Sequence, residues 1–261
     1  MQNAAKPIDA DHPDYVSALA RGLEVIRAFG EGHERMTVSD LARITGLARA
    51  TVRRSLLTLH ALGYIASDGK YFSLTPSILS LGFSYLGATP LPRIVQPALE
   101  SLSETLQESC SVSVLDGHEI VYVARSATRR IMSVGLAVGS RLPAYCSSMG
   151  RVLLAFQTRA VMDEVLAVTP LLTLTPHTLT DPDKIRSVLH RVRGQGYCLV
   201  DQELEIGLMS LAVPVRNASG KVVAAMNISV QAGRMSPADL IAKCLPLLQQ
   251  AAAGVAPALV N

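Results

Sequence analysis

Between Leu47 and Ser67 the chain carries Arg49, Arg53 and Arg54 and no acidic residue. Guanidinium groups spaced this way on a helix can grip phosphates or bond a guanine edge in pairs. The interleaved Thr51 and Thr58 can bond a phosphate or touch a thymine methyl. The wider stretch from Arg35 to Thr75 holds six bases (Arg35, Arg43, Arg49, Arg53, Arg54, Lys70) against Asp40 and Asp68, a net +4, whereas the whole chain of 261 residues is only +3. Concentrated basic charge of this kind is the electrostatic footprint of a nucleic-acid-binding module. Other chemistries lack their constellations. The six histidines (His12, His33, His60, His118, His177, His190) have no metal-ligand spacing. Neither a GxSxG elbow, a Walker loop nor a GxGxxG turn occurs. Cys110, Cys146, Cys198 and Cys244 form no CxxC pair and read as buried free thiols. Ser67-Asp68-Gly69-Lys70 matches the SxxK of serine acyl-enzymes, but it falls on a hairpin tip with no helix to align serine and lysine. No catalytic residue, metal or cofactor is expected.

The elements that must position the arginines are legible. Tyr15–Phe29 places Val16, Leu19, Leu23, Ile26 and Phe29 on one helix face, and Gly30 and Gly32 stop it. A second helix starts at Thr37, capped reciprocally with Asp40, and ends at Gly46. A third, Ala48–Leu62, buries Val52, Leu56 and Leu59 and turns its arginines outward. Helix, glycine turn and helix make a helix-turn-helix, whose second helix enters a major groove by its N-terminal half. Tyr64–Ser67 and Lys70–Leu74 around the two-residue turn Asp68-Gly69 form the wing. The candidate DNA contacts are Thr37, Ser39, Arg49, Thr51, Arg53, Arg54, Thr58 and Lys70. Beyond Thr75-Pro76, the segment Ser77–Ala88 is apolar on more than one face, too much for a solvated linker, so it needs a partner, either its own C-terminal domain or a second subunit, with dimerisation the expected use. Pro90 and Pro92 mark a domain boundary. The expected domains are 15–76 (winged helix-turn-helix), 77–91 (linker helix) and 92–261 (effector-binding). The polar N-terminus is the opposite of a signal peptide and no apolar run reaches the ~20 residues of a membrane span, so a cytoplasmic location is expected. The sequons at Asn217 and Asn227 are then coincidental.

The second half reads as an α/β domain: a helix at Val95–Gln107, strands at Ser111–Leu115, Glu119–Ala124 and Ile131–Leu136, and helices at Ser147–Phe156, Arg159–Ala167 and Pro182–Gln195. Strands at Leu208–Arg216 and Lys221–Val230 and a helix at Pro237–Ala252 follow, giving a mostly antiparallel sheet covered by helices. Tyr145–Gly150 stands at a helix N-terminus, where free backbone N–H groups favour an anion. Leu208, Ser210 and Ala212 share one strand face, as do Asn227 and Ser229. Polar side chains facing inward there are costly unless something polar binds them.

Over nearly its whole length the chain resembles the IclR family of transcription regulators. The resemblance is carried by Ala18-Leu19-Ala20-Arg21-Gly22-Leu23-Glu24-Val25-Ile26, Leu41-Ala42-Arg43-Ile44-Thr45-Gly46-Leu47, Thr51-Val52-Arg53-Arg54-Ser55-Leu56-Leu57 and Leu62-Gly63-Tyr64. It continues in the second half with residues 142–155, Gly196-Tyr197 and Ala212-Val213-Pro214-Val215. The stretch Tyr145-Cys146-Ser147-Ser148-Met149-Gly150-Arg151 is most similar to the branch controlling protocatechuate, para-hydroxybenzoate and β-ketoadipate catabolism. The resemblance implies an α+β protein: an N-terminal winged helix-turn-helix, a linker helix and a C-terminal GAF/PAS-like α/β effector-binding domain. It implies a homodimer or dimer of dimers on a pseudo-palindromic operator in double-stranded DNA, with RNA polymerase a further candidate partner. The family's effector pocket maps onto Leu142, Ser148, Met149, Asp201, Leu208, Ser210, Asn227 and Ser229. A carboxylate at Asp201 would need a base or water between it and an acidic effector. The effector class implied is a small carboxylic acid of aromatic catabolism, with Arg125, Arg129, Arg130, Arg141 and Arg151 near the pocket in sequence. A same-fold regulator of acetate or sugar-acid metabolism is the alternative. A small-molecule-handling enzyme is a remoter one, lacking a catalytic set.

Overall fold

Thr37 decides where the second helix begins. Its hydroxyl accepts from the Asp40 N–H at 3.3 Å and Asp40 Oδ2 accepts from the Thr37 N–H at 3.0 Å, closing the reciprocal cap. This is seen in a computed structural model that describes residues 8–30, 32–127 and 136–260. The chain divides into two units, Met1–Tyr85 and Leu86–Asn261. In the first, α1 (Ser17–Arg27) is followed by α2 (Val38–Thr45), which ends on Gly46 at φ 70°, and by α3 (Arg49–Ala61). Val52, Leu56 and Leu59 of α3 close on Val25, Met36, Leu41, Ile65 and Phe72 to form a small core. Strands β1 (Ile65–Ser67) and β2 (Phe72–Leu74) pair antiparallel with Ser67 opposite Phe72.

Two details differ from the sequence expectation. The wing loop is longer than a two-residue turn: it runs from Asp68 to Tyr71, because Asp68 Oδ1 accepts from the N–H groups of both Lys70 (3.0 Å) and Tyr71 (2.7 Å) and closes a wider loop. The apolar row of α1 is also largely outside the core. Val25, which is not in that row, is fully buried, whereas Val16, Leu19 and Leu23 are 63, 63 and 43% exposed. Past a 3-10 turn (Pro76–Ile78), α4 (Leu79–Ala88) likewise buries none of its side chains.

The second unit is a six-stranded antiparallel sheet between helices. Its strands are β3 (Ser109–Asp116), β4 (Glu119–Ser126), β5 (Arg141–Pro143), β6 (Cys198–Asp201), β7 (Leu208–Arg216) and β8 (Val222–Gln231), in the order β5-β4-β3-β8-β7-β6. The strand expected at 131–136 lies, except for Leu136, outside the described residues. The short strands β5 and β6 carry no sequence signal that singled them out. Alternation along the strands gives the sheet two unlike faces. Val112, Met209, Leu211, Val213, Met226, Ile228 and Val230 form one apolar core with α5 (Leu91–Leu106) and α9 (Pro237–Val255). The alternate residues face α6 (Ser148–Ala155), which packs with α7 (Arg159–Val168) and α8 (Pro182–Gln195) in a second core. That second face holds Ser111, Ser113, Ser210 and Asn227, all buried. Among the described residues no helix is long and apolar enough to cross a membrane.

Candidate DNA interface and effector cavity

On α3 the buried row forces the polar residues outward in two groups. Arg49 and Arg53, four apart, share one edge and are exposed. Thr51, Arg54 and Thr58 share the other, bordering a groove of about 530 Å³ against Ala18, Leu19 and Leu23 of α1. Among the described residues Arg49, Arg53 and Arg54 form no ion pair, so their guanidinium donors stay available. Lys70 is exposed on the wing loop, its ammonium 5.2 Å from the centre of the Tyr71 ring. Thr37 is otherwise engaged, its hydroxyl 2.7 Å from Asp40 Oδ2, whereas Ser39 beside it is exposed. The Asp40 carboxyl is held below its ordinary value by the Thr37 hydroxyl and then by the Thr37 N–H.

In the second unit the first turn of α6 is pressed against the chain before it. Gly150 makes this possible, since a Cβ there would overlap the carbonyl oxygen and Cα of Ala144. Ser147 caps the turn by accepting from the Gly150 N–H. Among the described residues the N–H groups of Ser148 and Met149 carry no hydrogen bond. A cavity of about 20 Å³, room for about one water, lies between this turn and the polar sheet face. Its walls are Tyr122, Leu136, Leu142, Met149, Val200, Leu204 and Leu208, and its polar groups come from Ser147, Ser148, Ser210, Asn227 and Ser229. Ser148 Oγ lies 2.7 Å from Ser210 Oγ, and Asn227 Nδ2 donates to Ser210 Oγ (2.8 Å) and Ser229 Oγ (3.1 Å). Asn227 Oδ1 is buried and without a partner among the described residues. Burial pushes the Cys146 thiol at the rim up to about 11.

Residues 83–256 match the IclR C-terminal family of bacterial transcriptional regulators, and residues 18–69 match the IclR helix-turn-helix domain. The chain belongs to the IclR family. It is 47% identical over 237 residues to the Pca regulon regulatory protein of Pseudomonas putida, covering 90% of this chain and 81% of the relative. It is 41% identical over 244 residues to the p-hydroxybenzoate hydroxylase transcriptional activator of Acinetobacter baylyi, covering 92% and 90%. The crystal structure of an IclR homologue from Microbacterium hydrocarbonoxydans complexed with 4-hydroxybenzoate superposes with a TM-score of 0.78 at 26% identity, covering 92% and 97%. This IclR-family chain is therefore a DNA-binding transcription regulator and not an enzyme.

Of the effector residues expected from the sequence, Leu142, Ser148, Met149, Leu208, Ser210, Asn227 and Ser229 all line the one cavity. Asp201 does not: it is half-buried on β6, where its Oδ1 accepts from the Gln202 side chain. Of the flanking arginines, Arg125, Arg141 and Arg151 are not among the residues that line the cavity. Arg141 is paired with Asp116 (2.8 Å) and Glu119 (2.6 Å), and Arg129 and Arg130 lie outside the described residues. Arg151 is 3% exposed and locked in two bonds to Glu203, at 2.5 and 2.7 Å, with its Nε donating to the Tyr145 carbonyl. Glu203 also accepts from the Leu179 N–H, and its carbonyl from the Thr178 hydroxyl. Sequence reading missed this clasp and the cavity-lining Tyr122. The available signal was a lone arginine inside the apolar stretch Met149–Ala155, which burial permits only with a partner.

Proposed function

We propose that this regulator governs a catabolic operon by sensing a small aromatic acid in the cavity between α6 and the polar sheet face, and that it acts as a homodimer. The carrying observation is the cavity itself: aromatic and aliphatic walls with free backbone N–H groups from a helix N-terminus, a combination suited to a ring bearing a carboxylate. The relatives support the reading. The Acinetobacter baylyi protein is an activator for p-hydroxybenzoate hydroxylase, and the Microbacterium homologue holds 4-hydroxybenzoate. At about 20 Å³ the cavity is too small for a benzoate, so the effector must select a wider form. It shifts the regulator only as far as it binds that form more tightly.

Dimerisation accounts for the apolar surface that the first unit leaves uncovered on α1 and α4. Two heads then address a pseudo-palindrome in the cytoplasm, and the DNA-bound dimer is the form that meets RNA polymerase. Fluorescence anisotropy on operator DNA, with Arg53→Ala and Arg54→Ala beside the unmodified protein, tests the reading head. Each variant should bind at least about tenfold more weakly, as expected for a lost base or phosphate contact, while a thermal-shift response to aromatic acids stays intact. Normal DNA affinity in both variants would remove the assignment of α3. A panel in which no aromatic acid raises the melting temperature would remove the effector class.

A further inference from the structure

We infer that Arg35, which precedes the helix-turn-helix and is not one of the DNA contacts assigned above, grips the DNA backbone together with Lys70, the two cations sharing the Tyr71 ring. The inference rests on the assignment of α3 and the wing to DNA and adds a contact from a further segment. Arg35 belongs to the loop between α1 and α2, yet backbone hydrogen bonds tie that loop to the wing. The Met36 N–H donates to the Phe72 carbonyl (3.0 Å) and the Phe72 N–H donates to the Met36 carbonyl (2.8 Å). Met36 and Phe72 are both buried, so the small core of the first unit fixes the attachment. One residue away, the Arg35 guanidinium lies 5.2 Å from the centre of the Tyr71 ring, and the Lys70 ammonium lies at the same distance from that ring. Two positive charges from separate segments are thus gathered on one aromatic platform. Like charges held this close repel unless an anion joins them, and the single carboxylate of Asp68 offsets only one of the two.

The wing does not need the Arg35 guanidinium to keep its shape. Asp68 closes the loop with Oδ1, through the Lys70 and Tyr71 N–H groups, and only its Oδ2 accepts from Arg35 Nη2 (2.5 Å). The Arg35 and Asp68 side chains are 63 and 47% exposed, and an ion pair that open to water contributes little to stability. Its partner can therefore be exchanged cheaply. A guanidinium fork accepts carboxylate and phosphate oxygens alike, so Asp68 holds Arg35 in the pose that a phosphate takes over. Each DNA strand offers a phosphate about every 3.4 Å along the axis, which lets Arg35 and Lys70 engage neighbouring ones. Such contacts fix the register of the protein on the duplex and carry no sequence information.

Because a phosphate contact is indifferent to sequence, the test is anisotropy of the full chain on a fluorescein-labelled duplex of random sequence, followed from about 50 to 200 mM salt. Arg35→Ala should weaken binding several-fold at the low-salt end. It should also make the slope of log K against log salt shallower by about 1 for each wing engaged. Arg35→Lys should keep the slope, since the charge remains, and the melting temperature should be the same in all three proteins. Arg193→Ala, which removes an exposed arginine of the second unit, controls for net charge. An unchanged slope in Arg35→Ala overturns the inference even where affinity falls, because that pattern belongs to a brace of the wing. A loss in Arg193→Ala equal to that in Arg35→Ala overturns it as well, as an effect of overall charge. An Arg53→Ala arm separates the two readings. If it alone weakens binding, only the Arg35 contact falls, whereas normal binding by Arg53→Ala and Arg35→Ala together removes the assignment of α3 and this contact with it.

Discussion

The thiols show how far a single atom's surroundings set its chemistry. Burial pushes Cys110 and Cys198 up to about 12 and Cys146 up to about 11, and also raises Cys244. Thiolate is the nucleophile, so at pH 8 these groups are inert. Iodoacetamide at that pH should leave the folded protein unlabelled and modify all four cysteines once denaturant is added; rapid native labelling of any of them would contradict the packing around it. The same shifts set a pH dependence. A group whose folded value is raised gives stability that is whole below the unfolded thiol's value of about 8.5 and is lost as the pH climbs toward 11–12. Chemical denaturation followed between pH 8 and 11 should show that decline, and a shallower decline in a variant with all four cysteines replaced by alanine would assign the thiols' share, the remainder belonging to Tyr122 and Tyr145, whose hydroxyls burial also raises. That these cysteines are buried could be read from their scatter, because the residue type is a small hydrophobe when it has no partner. The demand on Gly150 could not, since the backbone it nearly touches, at Ala144, is fixed only by the loop that folds back ahead of α6.

At the level of elements, α6 is buried along its whole length, and Arg151 within it is held by Glu203 from the segment after β6. A buried pair of this kind is costly to break and cheap to replace as a unit. Removing one partner leaves an unpaired buried charge at about 3–5 kcal/mol. Arg151→Met and Glu203→Leu should therefore each lower the melting temperature by roughly 6–20 °C, and the double variant should recover most of that loss. Additive losses in the double variant would show that the two side chains do not act through each other. Local chemistry made several elements readable in advance: the Thr37 cap, the Gly46 stop, and the alternation of β7 and β8. Others lacked such a mark. Asp68-Gly69 resembles a tight turn, yet the Asp68 carboxylate gathers two N–H groups and opens the loop. Strands β5 and β6 have three and four residues, too few for alternation to register. The cavity residues were nameable mostly through the family resemblance, with inward polar positions on β7 and β8 agreeing, but the Arg151–Glu203 clasp joins positions 52 residues apart, which no local pattern connects.

The whole molecule presents an apolar surface that its first unit leaves open. Leu19, Leu79 and Phe83 are 63, 71 and 72% exposed, and α4 buries no side chain of its own. Exposed apolar area of this extent marks an association surface. If the proposed dimer forms through this surface, Phe83→Asp should leave a monomer in sedimentation analysis and weaken operator binding by more than tenfold, because two half-sites would no longer be engaged together. An unchanged sedimentation coefficient would place the interface elsewhere. The two unlike faces of the sheet have a consequence for how such a receptor can diversify. Stability is concentrated on the side against α5 and α9, where Leu211, Val213, Met226 and Ile228 are fixed by packing. The residues proposed to contact the effector lie one residue out of phase on the same strands, at Ser210, Asn227 and Ser229, where they line the cavity. Substitutions at those alternate positions can retune what is recognised while the scaffold stays put, so descendants of one ancestor can acquire new inducers without first being rescued from unfolding, and a laboratory library confined to those positions should yield biosensors at high frequency.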